Sequence, residues 1–271
     1  MLFPWLPLQG RQVNWMPDIK VAAVILSRMG STRLFRKAVR PIAGLPMIAH
    51  VIMRAKEFPR VRESCGVVLA IPVGAENDEL QEIGEHEKVK VVRGDEDDVL
   101  SRFLLAAHEV GAEVVYRVTG DNPLVDPGVV SATWEVFLEG HWDYAVMEDT
   151  PLGTTAEIVT VEALERAQTL ATTPALKEHP TLALYENRDK FRMRLVAPPD
   201  EWRHPEWRFT VDTDLDAWLV ERLLYQLGED AGIDDIVAYL QRHPEVARVN
   251  ASVEQQGWKD LKDRKDEIAR S

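Results

Sequence analysis

The chain has 271 residues, of which 45% are hydrophobic and 28% are charged, and its formal net charge at pH 7 is −13. This composition is typical of a globular enzyme with a sizeable core. The acidic balance argues against non-specific binding to nucleic acid or to anionic membranes, because both are polyanions. No stretch approaches the roughly 20 apolar residues of a membrane span, and the N-terminus is a poor signal peptide. We therefore expect a cytoplasmic protein without a nucleic-acid or membrane partner.

Apolar strands alternate with helices in the first half of the chain. The hydrophobic patterns predict strands at 20–26, 66–71, 89–92 and 113–118, and helices at 46–58, 76–84, 97–110 and 127–139. Continuous apolar strands separated by helices predict a parallel sheet that is covered on both faces.

The second half of the chain is less regular. Its patterns predict strands at 157–160, 191–196 and 208–211, and helices at 161–170, 176–187, 214–227, 234–242 and 253–268. The last helix is rich in charged residues, which favours a solvated surface helix over a partner-binding one.

Three polar loops, 27–37, 93–98 and 119–126, follow strands of the predicted sheet. Ligands of such sheets bind at the carboxyl ends of the strands. The first loop carries four cations, Arg28, Arg33, Arg36 and Lys37, among small residues. Small residues let backbone N–H groups approach phosphates, and guanidinium groups match phosphate oxygens. The loop is neither a P-loop nor a dinucleotide fingerprint, so its residues leave a triphosphate cradle and a solvated basic turn equally open.

Two carboxylates could complete a phosphate site. Asp121 follows a strand and Gly120, where a carboxylate can hold Mg²⁺, although a turn-forming Asp-Asn-Pro sequence is the alternative. Asp212 ends a predicted strand one or two residues too early to cap the following helix. If both meet above the cationic loop, they form a metal–triphosphate site.

Four motifs in chain order resemble those of the spore-coat polysaccharide SpsF-type cytidylyltransferases. They are Ser27-Arg-Met-Gly-Ser-Thr-Arg-Leu with Lys37, Arg93-Gly with Asp98-Val-Leu and Arg102, Thr119-Gly-Asp with Pro-Leu124, and Val211-Asp-Thr213. These enzymes are related to the sugar-acid cytidylyltransferases for 3-deoxy-manno-octulosonate and sialic acid. The resemblance runs from about residue 20 to about residue 225. It implies a three-layer, glycosyltransferase-A-like α/β nucleotidyltransferase fold with a mostly parallel mixed central sheet.

The resemblance also implies a reaction and a site. The reaction is transfer of CMP from CTP to a small sugar, sugar-acid, phosphate or phosphonate acceptor, with Mg²⁺ as cofactor and release of pyrophosphate. The implied residues are Arg28, Arg33, Lys37 and Asp121 for catalysis; Asp121 and Asp212 for the metal; Ser27, Gly30 and Ser31 in the phosphate loop; Arg93, Asp98 and Arg102 near the base; and Glu157 and His179 towards the acceptor.

The domain division follows from the same resemblance. We expect an N-terminal tail (1–18), a nucleotidyltransferase domain (19–228) and a helical extension packed on it (229–271), assembled as a homodimer. The chain departs from the family at Leu34-Phe-Arg-Lys37, where relatives usually have Leu-Pro-Gly-Lys. This departure leaves two alternatives open: a nucleotidyltransferase that uses another nucleotide with a sugar-1-phosphate, or a non-catalytic homologue that binds nucleotide or sugar.

Overall fold

A computed structural model describes residues 19–30 and 34–253. The predicted tail, Ser31, Arg33 and all but the first residue of the last predicted helix lie outside these ranges. The strands of the described residues are β1 (Val21–Leu26), β2 (Pro41–Ile42), β3 (Leu45–Pro46), β4 (Gly66–Pro72), β5 (Lys90–Gly94), β6 (Val114–Thr119), β7 (Tyr144–Met147), β8 (Glu157–Thr160) and β9 (Met193–Val196).

Seven of these strands form one sheet in the order β5-β4-β1-β6-β8-β7-β9. Strands β5, β4, β1 and β6 are parallel, and β8 is antiparallel to both of its neighbours. The outer pair β7 and β9 is parallel again. The predicted mostly parallel mixed sheet is therefore confirmed. Strands β2 and β3 form a separate antiparallel hairpin.

Helices cover both faces of the sheet. They are α1 (Met47–Ala55), α2 (Asp78–His86), α3 (Val99–Glu109), α4 (Pro127–Leu138), α5 (Val161–Leu170), α6 (Pro174–Glu178), α7 (Leu182–Glu186), α8 (Asp214–Leu227), α9 (Ile233–Arg242) and α10 (Pro244–Ala247). Among the helices of the described residues, none is long and apolar enough to cross a bilayer.

Strand β1 lies at the centre of the molecule, and all six of its side chains are buried. Successive strand residues point to opposite faces, so its apolar run supplies two cores at once. Ala22 and Val24 pack with α3, α5 and α7, whereas Val21 and Ile25 pack with α1 and α4. A third core joins α8 and α9 to the hairpin. The result is a three-layer α/β fold in which the parallel strands β5, β4, β1 and β6 have their carboxyl ends at one edge of the sheet.

Two predicted elements were wrong. The stretch 176–187 forms two short helices, α6 and α7, because Pro180 lacks an N–H and disfavours helical backbone at His179, which has φ −112° and ψ 88°. The stretch 208–211 is an irregular segment that joins Leu152 through one isolated bridge at Arg208. Sequence patterns also missed β7 and the two-residue strands of the hairpin.

Candidate functional site

The site is built where the ends of β1 and β6 approach each other. The N–H of Gly120 donates to the carbonyl of Leu26 at 2.9 Å, and the N–H of Ser27 donates to the carbonyl of Ala70 at 3.2 Å. A Cβ at position 120 would lie 2.7 Å from Oγ of Ser27, closer than packing permits. Glycine at this position therefore lets the loop after β1 pack directly beside Asp121.

Lys37, Asp121 and Asp212 meet at this edge, although they are far apart in sequence. The ammonium of Lys37 lies 2.9 Å from Oδ2 of Asp121 and 2.9 Å from Oδ1 of Asp212. Burial alone would lower the pKa of Lys37, but the charges and hydrogen bonds of the two carboxylates outweigh it and raise the pKa above 10.5. The lysine is thus a cation held between two acidic side chains.

The loop after β1 is held by contacts at Met29 and at Arg36. On one side, the N–H of Met29 donates to Oδ1 of the buried Asn77 at 3.0 Å. Gly30 is exposed and lies next to the carboxylate of Glu96. On the other side, Arg36 has left-handed backbone (φ 53°, ψ 35°) and pairs with Glu79 before the short turn that presents Lys37.

Asp212 is held from behind by residues that sequence reasoning missed. Nη2 of Arg208 donates to Oδ2 of Asp212 at 2.7 Å, and its Nε donates to Oδ1 of Asp216 at 2.9 Å. Asp216 is fully buried and also accepts from the N–H of Asp212 at 3.0 Å. Arg208 therefore engages one oxygen of Asp212 while the other faces Lys37. The signal in the sequence was the spacing Arg-x-x-x-Asp-x-x-x-Asp, which places three charges around a helix start.

A cleft of about 490 Å³ is lined by Arg28 of the loop after β1, by the loop between β5 and α3, and by α6. Its lining residues are Arg28, Asp95, Glu96, Asp97, Asp98, Pro174, Lys177 and Glu178. The exposed Arg28 reaches to 3.9 Å from Glu96. Asp98 caps α3 through the N–H of Ser101 at 2.9 Å and pairs with Lys177 at 3.1 Å. Two predicted site residues, Arg28 and Asp98, therefore share one cleft.

Arg102 and Arg93 shape the same region differently. The buried Arg102 donates to the carbonyls of Asp95 and Glu96, and so holds the loop that lines the cleft. Arg93 instead donates to Gln81, to the carbonyl of Gly74 and to Asp78, at 2.7, 2.8 and 2.6 Å. These contacts tie Arg93 to α2 and the loop before it, and do not bring it into the cleft.

Glu157 lies on β8 beside its register partner Arg117, which donates to its carboxylate at 2.9 Å. Glu157 also hydrogen-bonds the hydroxyl of Tyr144, which contacts that of Tyr185 at 3.1 Å. Burial, together with the charge of Glu157, raises the pKa of Tyr144 well above its ordinary value. His179 ends α6 and is half-buried. Glu157 is thus part of a mostly buried polar network at the sheet edge.

The donor set at the carboxylate pair suits a hard cation. Asp121 and Asp212 already converge on one positive charge, the ammonium of Lys37. Within the described ranges, no group of three or more His, Cys, Asp or Glu side chains could hold a metal ion. Mg²⁺ needs fewer protein ligands, because it takes one or two carboxylates and completes its shell with phosphate and water. The arrangement therefore fits a metal that arrives with a phosphate ligand.

The chain is similar to known proteins over most of its length. A family model described as cytidylyltransferase matches residues 22–242. The spore coat polysaccharide biosynthesis protein SpsF of Bacillus subtilis is 29% identical over 230 residues, which cover 83% of this chain and 95% of that protein. A cytidylyltransferase structure from Leptospira borgpetersenii is 26% identical, with a TM-score of 0.78, and covers 85% of this chain and 97% of its own. The structure of CMP:2-keto-3-deoxy-manno-octonic acid synthetase complexed with CTP, at 19% identity over 76% of this chain and 99% of its own with a TM-score of 0.57, shares the fold.

Proposed function

The chain belongs to the cytidylyltransferase family, and from this premise we propose that it transfers CMP from CTP to a small sugar, sugar-acid, phosphate or phosphonate acceptor. One observation carries the proposal: Lys37, Asp121 and Asp212 converge at the carboxyl edge of the sheet. The ammonium of Lys37 lies 2.9 Å from a carboxylate oxygen of each aspartate. Three residues from distant parts of the chain thereby form one cationic and acidic cluster. This cluster supports a site for a metal-bound triphosphate.

The proposed reaction is a direct transfer. An acceptor oxygen forms a bond to the α-phosphorus of CTP, and the bond from that phosphorus to the bridging oxygen of the β-phosphate breaks, so pyrophosphate leaves with the electron pair. A hydroxyl acceptor releases its proton to solvent in this step. Positioning and charge neutralisation supply the catalysis of such reactions. Arg28, Arg33 and Lys37 would neutralise the triphosphate and the departing pyrophosphate, and Ser27, Gly30 and Ser31 would let its oxygens approach the backbone.

We propose Mg²⁺ as the cofactor, held by Asp121 and Asp212. When bound, it would supply Lewis-acid polarisation of the phosphate oxygens. The chain's own part is to hold both carboxylates in place and to compensate their charge, which Lys37 and Arg208 do from opposite sides of Asp212.

The base of the nucleotide and the acceptor would lie on opposite sides of this cluster. We place the base in the cleft lined by Arg28 and Asp98, whose loop Arg102 holds, with Arg93 supporting that region through α2. We place the acceptor towards Glu157 and His179. Glu157 supports this assignment because its carboxylate already belongs to a polar network with Arg117 at the same sheet edge.

The test is release of pyrophosphate from CTP and Mg²⁺ over a panel of acceptors. The Asp121→Ala variant should lower the rate by at least about 100-fold, because it removes preorganised charge at the reacting phosphate. Asp189→Ala, which removes an exposed carboxylate of a surface turn, is the control. Unchanged turnover in Asp121→Ala would refute the assignment. A thermal-shift panel of nucleotides with Mg²⁺ should show selective stabilisation by CTP, and selective stabilisation by another nucleotide would contradict it.

We further propose that the protein acts in the cytoplasm as a homodimer. The described helices lack a membrane span, which is compatible with that location. Light scattering of the full-length protein as it elutes from a size-exclusion column should give twice the mass of one chain. A single-chain mass at micromolar concentration would contradict the dimer without affecting the proposed reaction.

A further inference from the structure

Asn250 lies three residues after the end of α10, and its side chain reaches Arg208 and Asp216. Its side chain is buried, with 2% of its surface exposed. One side-chain nitrogen, Nδ2, donates to the carbonyl of Arg208 at 2.9 Å and to Oδ1 of Asp216 at 2.8 Å. Both partners are acceptors, so the two hydrogens of the amide are both used. Asn250 therefore acts as a double donor between two buried groups.

Both of these groups support Asp212. Arg208 donates to Oδ2 of Asp212, and Asp216 accepts from its backbone N–H. Asp216 also accepts from the N–H and the hydroxyl of Thr213 at 2.9 Å each. Removing Asn250 would take away one of two donors to Oδ1 of Asp216, leaving Nε of Arg208, and would take away the side-chain donor to the carbonyl of Arg208. Both effects pass directly to the carboxylate that faces Lys37.

We propose that Asn250 is a positioning residue that fixes the metal-binding orientation of Asp212 through Arg208 and Asp216. The inference rests on the proposed function, since it takes Asp212 as a ligand of the metal. It extends the site to a segment that the motifs of the phosphate loop and the sheet edge do not include. Mutation of a group that orients a metal ligand typically costs about 10- to 100-fold in metal affinity or activity.

Asn250→Asp is the most informative variant, because it keeps the shape of the side chain and changes only its hydrogen-bonding groups and charge. It removes both donors and sets a carboxylate against Asp216 and against the carbonyl of Arg208. Asn250→Ala removes the donors without adding charge. If Asn250 only fills space, the alanine variant should weaken metal binding more than the aspartate variant does. If Asn250 positions Asp212, the aspartate variant should weaken metal binding at least as much as the alanine variant does. Val246→Ala, a buried residue of the neighbouring α10, is the control for general loosening of this segment.

Two measurements separate positioning from stability. Binding of Mn²⁺ to the full-length protein in the presence of CTP and without acceptor, followed by electron paramagnetic resonance, reports the site without catalysis. The Mg²⁺ concentration that gives the half-maximal rate at saturating CTP reports it during turnover. We expect both to weaken by about 10-fold or more in Asn250→Asp and Asn250→Ala, and to stay within about twofold of wild type in Val246→Ala.

The outcomes distinguish this inference from the proposed function. Wild-type protein that releases no pyrophosphate from CTP, or that binds Mn²⁺ no better than Asp121→Ala does, overturns both. An active wild-type protein with unchanged metal responses in the Asn250 variants overturns the inference alone. If Asn250→Asp fails to fold, Asn250→Ala is compared with Val246→Ala, each assayed at the same number of degrees below its own melting temperature. Equal Mn²⁺ binding and equal Mg²⁺ dependence of the rate in these two variants overturn the inference.

Discussion

Arg36 stands where the related loop sequences usually have glycine. It takes left-handed backbone, φ 53° and ψ 35°, directly before Lys37. This conformation costs an ordinary residue about 1–2 kcal/mol and costs glycine much less. The half-exposed ion pair to Glu79 offsets at most about 1 kcal/mol. The loop thus keeps its shape with arginine, at some cost in stability.

We predict that Arg36→Gly is more stable than Arg36→Ala by about 1 kcal/mol in urea unfolding. Both variants lack the ion pair to Glu79, so their difference reports the backbone conformation. Pyrophosphate release from CTP should persist in Arg36→Gly, because Lys37 keeps its two carboxylates. An alanine variant as stable as the glycine variant would contradict the left-handed conformation at this position.

Asp126 gives a prediction for pH. Burial raises the pKa of this carboxyl above 3.8, and the N–H of Val129 and the charge of Arg54 only partly oppose the shift. Between pH 3.8 and the folded pKa, the unfolded chain ionises this group while the folded chain keeps it protonated. The contribution of Asp126 to stability therefore falls as pH rises through that window and is constant above it.

Asp126→Asn tests this sign. Asparagine can still cap α4 by accepting from Val129, but it does not titrate. The free energy of unfolding of wild type minus that of the variant should decrease as pH rises from 3.8 towards neutrality, measured by urea unfolding. The exposed Asp189→Asn is a matched control for loss of a carboxylate. A difference that increases with pH would show that the folded pKa is lowered.

At the scale of the element, α8 begins at a capping box that also belongs to the site. The hydroxyl of Thr213 accepts from the N–H of Asp216, and Asp216 accepts from the N–H of Thr213. Thr213→Ala should lower the free energy of unfolding by about 1 kcal/mol, because a helix donor loses its partner. Thr213→Ser keeps the hydroxyl and should retain most of the stability. Equal losses in the two variants would show that the methyl group, and not the cap, is what matters.

The regular elements around the parallel half of the sheet could be predicted from sequence because they repeat simple periods. Strand β1 is continuously apolar and is buried on both faces, and Asp98 marks the start of α3 as its N-cap. The outer half is harder to predict. Strand β7 has only four residues, too few to show a period, and the segment at Arg208 is fixed by tertiary contacts with Leu152.

Much the same distinction holds for the site. Asp121 and Asp212 could be found because each follows a strand-like run without a capping role. Arg208 and Asp216 were missed although they lie close to Asp212 in sequence, because spacing alone does not show that their side chains pair behind it. Asn250 could not be found, because its partners are distant in the chain. The pair Asp216 and Asn250 is separated by 34 positions and meets only in the folded protein. Sequence motifs therefore identified the carboxylates that meet at Lys37 better than the residues that support them.

At the scale of the molecule, an acidic chain must bring a polyphosphate to two further carboxylates. The chain's net charge of −13 opposes that approach, so cations at the sheet edge have to offset it locally. Lys37 and Arg208 flank Asp212, and Arg28 lines the cleft beside the loop after β1. With the proposed role of Asn250, the site would draw on a residue beyond the sheet and its covering helices.

This extent can be tested by shortening the chain. A protein that ends at Val253 keeps both bonds of Asn250 and should release pyrophosphate from CTP at a rate within about twofold of the full-length protein. A protein that ends at His243 lacks α10 and Asn250, and should lose at least about 10-fold in rate while its fold, checked by circular dichroism, persists. The full-length Asn250→Ala variant is the control, since it removes the same bonds without shortening the chain and should lose activity to a similar degree. Full activity in the chain that ends at His243 would show that residues 1–243 contain the whole catalytic unit and that the segment around Asn250 serves another purpose.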